Sequence, residues 1–105
     1  MENMGPQDVP PQDKLELRAV IGLTRGLPLA DLEALTTGAI RTHRSLVEKA
    51  DQLFQALPDD YKSGAVAGGA QHLAYIEACI EMHAQMSVVN TLVDIIGYIP
   101  KVPES

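Results

Sequence analysis

Residues Gly69–Pro100 read GAQHLAYIEACIEMHAQMSVVNTLVDIIGYIP, and this stretch decides the fold. Between the opening glycine and the closing proline there are three formal charges, Glu77, Glu81 and Asp94, and no Lys, Arg or interior Pro. Length and breakers at both ends predict one helix of roughly 40 Å at about 1.5 Å per residue, with Gly97 near its end. Its apolar residues recur as Tyr75, Cys79, Met82, Met86, Val89, Val93 and Ile96. Alternating steps of four and three are those of a helix lying along another helix.

That seam is not the whole apolar surface. Leu73, Ile76 and Ile80 form a second patch over the first half of the helix, and Val88, Leu92, Ile95 and Ile99 emerge on the other flank over the second half. A helix with one neighbour needs one stripe; this helix needs at least two. The chain offers one other long helix, so the missing neighbour is expected to be a second copy of the protein. On this reading Leu73, Ile76, Ile80, Met82, Met86, Val89, Val93 and Ile96 make the dimer interface and core.

Working outward, Pro28–Leu57 carries the partner helix. Pro28 suits a first turn, and Asp31 and Glu33 favour the positive end of the helix dipole. Leu29, Leu32, Leu35, Ala39, Ile40, His43, Leu46, Val47, Ala50, Leu53, Phe54 and Leu57 form its apolar arc. Opposite the arc, Arg44 and Glu48 stand one turn apart and are expected to pair, for about 0.3 kcal/mol. Pro58 stops the helix. Asp59–Gly68 gives a connector with room for one short turn around Asp60–Ala65, and Gly64, Gly68 and Gly69 let the chain reverse.

Upstream, Met1–Asp13 holds Pro6, Pro10 and Pro11 and almost no apolar residues, the composition of a flexible tail. Lys14–Ile21 turns apolar and is too short to decide between a helical turn and an extended strap. Lys101–Ser105 reads as a short polar tail. The predicted organisation is a tail over residues 1–13 and one all-α domain over residues 14–105. That domain is an antiparallel hairpin of two long helices with an N-terminal strap, dimerising into a four-helix bundle.

Composition narrows the function. At 105 residues the chain is one domain, and its formal charge of −6 disfavours direct binding to nucleic acid, whose phosphates demand cations. It suits a basic protein partner. The single cysteine, Cys79, forms no internal disulfide. The first residues lack the basic start and apolar core of a secretion signal, and no stretch is apolar enough to span a bilayer; a cytoplasmic protein with no membrane partner is expected.

Catalytic chemistry finds little to stand on. Glu81 and His83 are two apart, on different helix faces, and no His joins Glu77 and Glu81 at ligand spacing, so no metal or cofactor is expected. His43 falls on the buried arc, as a hydrogen-bonded core histidine, and His72 near an exposed helix start. Cys79 sits mid-helix without a cationic neighbour in sequence, as a packed thiol does. The glycines at 64, 68 and 69 lack the Lys-Ser/Thr of a phosphate loop. What remains is surface: Arg41, Arg44, Glu48 and Asp51 on the outer face of the first long helix, and Glu77 and Glu81 on the second.

Four segments together carry a resemblance: IGLTRGLP (Ile21–Pro28), AIRTHRSLVEKADQLFQALP (Ala39–Pro58), YIEACIEMHAQMS (Tyr75–Ser87) and GYIPKV (Gly97–Val102). They resemble TraM, the quorum-sensing antiactivator family of plasmid conjugation systems, not the relaxosome protein that shares the name. The likeness runs from about Lys14 to Val102 and leaves Met1–Asp13 outside. It implies a small all-helical homodimer without enzymatic activity. Its implied target is TraR, the LuxR-type activator that responds to an acyl-homoserine lactone, bound at the DNA-binding domain. Promoter binding is thereby blocked and conjugal-transfer genes stay off. One departure is Ala70, where the family often has Gly-Gly-Pro, implying a looser start to the second helix; no family role falls on Cys79. The resemblance does not assign the contact residues. Arg41, Arg44, Glu48, Asp51, Glu77 and Glu81 are therefore candidates from their surface position. The competing reading is a general dimeric helical adaptor with another partner.

Overall fold

The computed structural model describes the backbone of residues 12–103 and the side chains of residues 18–103. Helix α1 spans Gln12–Thr24, α2 Leu29–Gln55, α3 Asp59–Lys62 and α4 Ala70–Ile96. The described residues contain no strand. The undecided apolar run at Lys14–Ile21 is thus helical, and α1 begins inside the last two residues of the expected tail. Met1–Pro11 lies outside the described residues.

Helices α2 and α4 form the hairpin. Each end of it is fixed by a local rule. Pro28 sits at the cap of α2, where its carbonyl accepts from the N–H groups of Asp31 and Leu32 at 3.0 and 3.1 Å, and Pro58 follows buried Leu57. Gly69, at φ +91°, turns the chain into α4. Gly97, at φ +88°, closes it in the left-handed conformation, its N–H donating to the Val93 carbonyl at 2.8 Å.

Three pairs fix the antiparallel register. Gln85 donates to the Ala39 carbonyl at 3.1 Å, the Phe54 and Tyr75 rings meet at 5.4 Å, and Gln71 reaches the Ala56 carbonyl at 3.5 Å. The same register sets Ala50 opposite Ala78, and both are buried. Ala78 is only 1% exposed, whereas Met86 is 38% exposed. The seam therefore runs through Ala78 as well as the expected Tyr75–Cys79–Met82 line, with Met86 at its open edge.

The second neighbour of α4 is partly supplied by the chain itself. Helix α1 packs on α4, and Val20 joins Ile40, Val88, Val93 and Ile95 around the buried cluster of Ala39, Val89 and Leu92. The flank patch on the second half of α4, expected to need another copy, is in large part covered by α1; Ile99 remains open. Thr91 and Thr36 are fully buried in this region, and each hydroxyl donates to the carbonyl four residues back, Ser87 and Leu32, at 2.7 Å. Leu29, Leu35 and Val47, expected on the buried arc of α2, are exposed, because the arc is wider than one helix can cover.

Past Gly97 the chain folds back along α2. The Tyr98 hydroxyl donates to Glu33 Oε2 at 2.6 Å, and Arg44 Nη1 donates to the carbonyls of Val102 and Pro103 at 3.1 and 3.2 Å. Pro100 and Val102 are buried while Ile99, Lys101 and Pro103 are exposed. The segment expected as a polar tail begins as an extended strap on the flank of α2; Glu104 and Ser105 lie outside the described residues.

Candidate partner-binding face

Helical spacing puts Arg41, Arg44, Glu48 and Asp51 on one exposed stripe of α2. The strap then divides the stripe. Arg41, Arg44 and Glu48 line an open cleft of about 660 Å³ together with His43, Ser45, Val47 and Pro103, and Asp51 stands beyond it. The expected Arg44–Glu48 pair is absent: the Arg44 guanidinium turns to the strap carbonyls instead. Two charge-assisted hydrogen bonds to backbone outweigh one exposed ion pair. His43 is half-buried on the cleft wall rather than a bonded core histidine, and no hydrogen bond holds its ring among the described residues.

The two acids of α4 separate in role. Glu81 Oε1 lies 3.3 Å from Lys49 Nζ, an ion pair whose side chains are more than half exposed and which contributes less than about 1 kcal/mol. It ties α4 to α2. Glu77 is exposed and has no ion pair among the described residues. Neither lines the cleft, so three of the six candidate residues share it and Asp51, Glu77 and Glu81 stand outside.

The expected dimer set divides in the same way. Val89 is buried inside the single chain and Val93 packs against it. Met82 and Ile96 are half-buried. Leu73 and Ile80 are 56% and 62% exposed, and Ile76 and Met86 are open beside them.

The remaining polar groups serve structure. His72 accepts the Gly68 N–H on Nδ1 at 2.8 Å and meets the Tyr61 ring edge-on at 5.7 Å. The half-buried Cys79 thiol, one turn on from Tyr75, acts with some burial to push the phenol's pKa above the usual tyrosine value. Among the described residues no three His, Cys, Asp or Glu side chains gather as a metal would need, and no helix is long and apolar enough to cross a membrane.

Against this geometry stand the known proteins. A family model described as the prokaryotic transcriptional repressor TraM matches residues 1–101. The chain belongs to the TraM family. It is 70% identical over 89 residues to a transcriptional repressor TraM of Rhizobium radiobacter, covering 85% of this chain and 87% of that one. With a transcriptional repressor TraM of Agrobacterium fabrum (strain C58 / ATCC 33970) identity is 66% over 97 residues, 92% of this chain and 95% of that one. The crystal structure of a second quorum sensing antiactivator, TraM2 from A. tumefaciens strain A6, shares 73% identity and superposes with a TM-score of 0.82, covering 84% of this chain and 99% of that one.

The TraM match begins at residue 1, so the Pro-rich segment set outside the resemblance lies within the family's length. At Ala70, where a looser helix start was expected, α4 opens in regular geometry: Leu73 N–H donates to the Gly69 carbonyl at 3.0 Å. The His72 cap on Gly68 adds a bond there that helix propensity does not foretell. The strap is the element at this face that the sequence pattern did not reveal as packed. Its signal was the period-two alternation in YIPKVP, with Pro100 and Val102 inward, directly after a helix-stopping glycine.

Proposed function

We propose that this chain is a quorum-sensing antiactivator that, as a homodimer in the cytoplasm, sequesters a TraR-like LuxR-family activator through its DNA-binding domain. The activator is thereby kept from its promoters and plasmid conjugal-transfer genes stay silent, without enzymatic chemistry. One observation carries the reading: the relatives are named transcriptional repressors, yet this chain has a formal charge of −6. A repressor that bound DNA itself would need cations for the phosphates. An acidic repressor acts instead on a protein, and a DNA-binding domain is the basic protein surface that transcription offers. The relative named an antiactivator supports the same direction.

The open apolar patch of Leu73, Ile76 and Ile80 supports the homodimer, since leaving such side chains in water forgoes about 1.5–3 kcal/mol for each one that could be fully buried. A gel-shift assay tests the function. Purified TraR with its lactone shifts promoter DNA, and this protein added in steps should abolish the shifted band near one copy per activator protomer. Survival of that band in large excess would refute sequestration.

A further inference from the structure

Arg44 presents five N–H donors in a rigid plane. Its Nη1 group uses both hydrogens on the carbonyls of Val102 and Pro103. Those bonds fix the orientation of the guanidinium and leave Nη2 and Nε, three donors in all, without a partner among the described residues. Arg41 stands one turn back on α2, exposed and without an ion pair among the described residues. Both line the open cleft of about 660 Å³ between α2 and Pro103.

Three features narrow what fits there. Two guanidiniums one turn apart suit an oxyanion such as a carboxylate, which a planar fork binds through parallel hydrogen bonds. Glu48 on the same wall leaves two arginines less one glutamate, a net single positive charge. That is too little for a polyphosphate or a nucleic-acid strand on a chain of charge −6. Val47 and Pro103 add apolar wall beside the charges. We infer that this cleft is a docking site for an acidic side chain of a partner protein, an Asp or Glu flanked by an aliphatic residue, with a basic residue placed toward Glu48. The inference deepens the proposed capture of a protein and rests on it for the partner's class. The strap is then part of the site, since Pro103 forms a wall and its neighbouring carbonyls orient Arg44.

The test uses the full chain, ¹⁵N-labelled, with the arginine Nε–H signals followed by NMR. The probe is the peptide acetyl-Leu-Glu-Leu-Lys-amide, and its control carries Gln in place of Glu. The Glu peptide should shift Arg41 and Arg44 saturably, at least tenfold more tightly than the Gln peptide. Arg44→Lys, whose helicity is checked by circular dichroism, should reduce binding by about tenfold, because an ammonium cannot hold two carbonyls and a carboxylate fork together. Equal binding of the two peptides, or no shift up to about 10 mM, overturns the site. Saturation by inorganic phosphate at lower concentration than the peptide also overturns it, reassigning the cleft to small anions. No activator enters this titration. A failed gel shift with an intact titration therefore sinks the antiactivator reading alone, and the reverse outcome sinks only the cleft.

Discussion

The two ends of the hairpin are built differently. At the end where α2 begins and α4 finishes, α1 lies across α4, the strap runs along α2, and Val89 and Leu92 are buried between them. At the other end the seam closes through Ala50, Ala78 and the Phe54–Tyr75 contact, but among the described residues nothing covers the outer face of α4. Leu73, Ile76 and Ile80 lie there in the open. The difference lies in chain length rather than hydrophobicity. Helix α1 has 13 residues, about 20 Å, against 27 in α4, so its length matches about half of the second face. One end is packed within the protomer, and the other leaves its apolar surface open.

The largest expected effect sits at the closed end. Leu92→Ala empties a packed position and should cost about 2–5 kcal/mol of stability, read as a lower urea midpoint. A loss below about 1 kcal/mol would mean that α1 does not seal this end. Ile80→Ala at the open end should leave helicity intact and weaken self-association tenfold or more, about 1.4 kcal/mol, in sedimentation. Unchanged sedimentation would erase the contrast between the ends. A smaller effect is kinetic. Glu77→Lys with Glu81→Lys should slow capture of the activator several-fold and flatten its salt dependence, because rim charges act on encounter more than on affinity. Unaltered rates would remove the open end's acids from the capture surface.

Much of this contrast was legible in the sequence. The long helices follow from apolar recurrence at three and four, and their ends from Pro28, Pro58, Gly69 and Gly97. The open patch of Leu73, Ile76 and Ile80 was legible too, as apolar residues left over from one seam. What sequence periodicity could not supply was which flank α1 would cover, because Lys14–Ile21 has no more than two turns of pattern. It also misdirected Arg44. Spacing along α2 offers Glu48 at i+4, whereas the strap carbonyls come from 58 and 59 residues away and leave no mark on local spacing. His43 was misread for a related reason: a wide apolar arc places it inward, and only the fold reveals that the cleft borders it.

The smallest effect isolates the strap. The Tyr98 phenol donates to the Glu33 carboxylate, and that bond, ahead of a slight desolvation, holds its pKa above the usual tyrosine value. The folded pKa lies above the unfolded one, so the stabilisation is fully present below about pH 10, the ordinary tyrosine value, and is lost as pH rises through the folded value. Ionised Tyr98 would face Glu33 as a second anion, and the strap should lift from α2. An absorbance titration of the wild type should therefore show a late-ionising phenol that Tyr98→Phe removes, while Tyr75, raised by its neighbour Cys79, stays late in both. Because the bond is exposed, Tyr98→Phe should barely alter the urea midpoint at neutral pH. Its signature is instead in the carbon-bound Arg44 Cδ–H signals, which do not exchange with water. In the wild type those signals should move as the strap releases at alkaline pH, and in Tyr98→Phe the alkaline step should vanish. An alkaline step of equal size in both chains would show that Arg44 holds the strap without help from Tyr98, and that the closed end ends at Gly97.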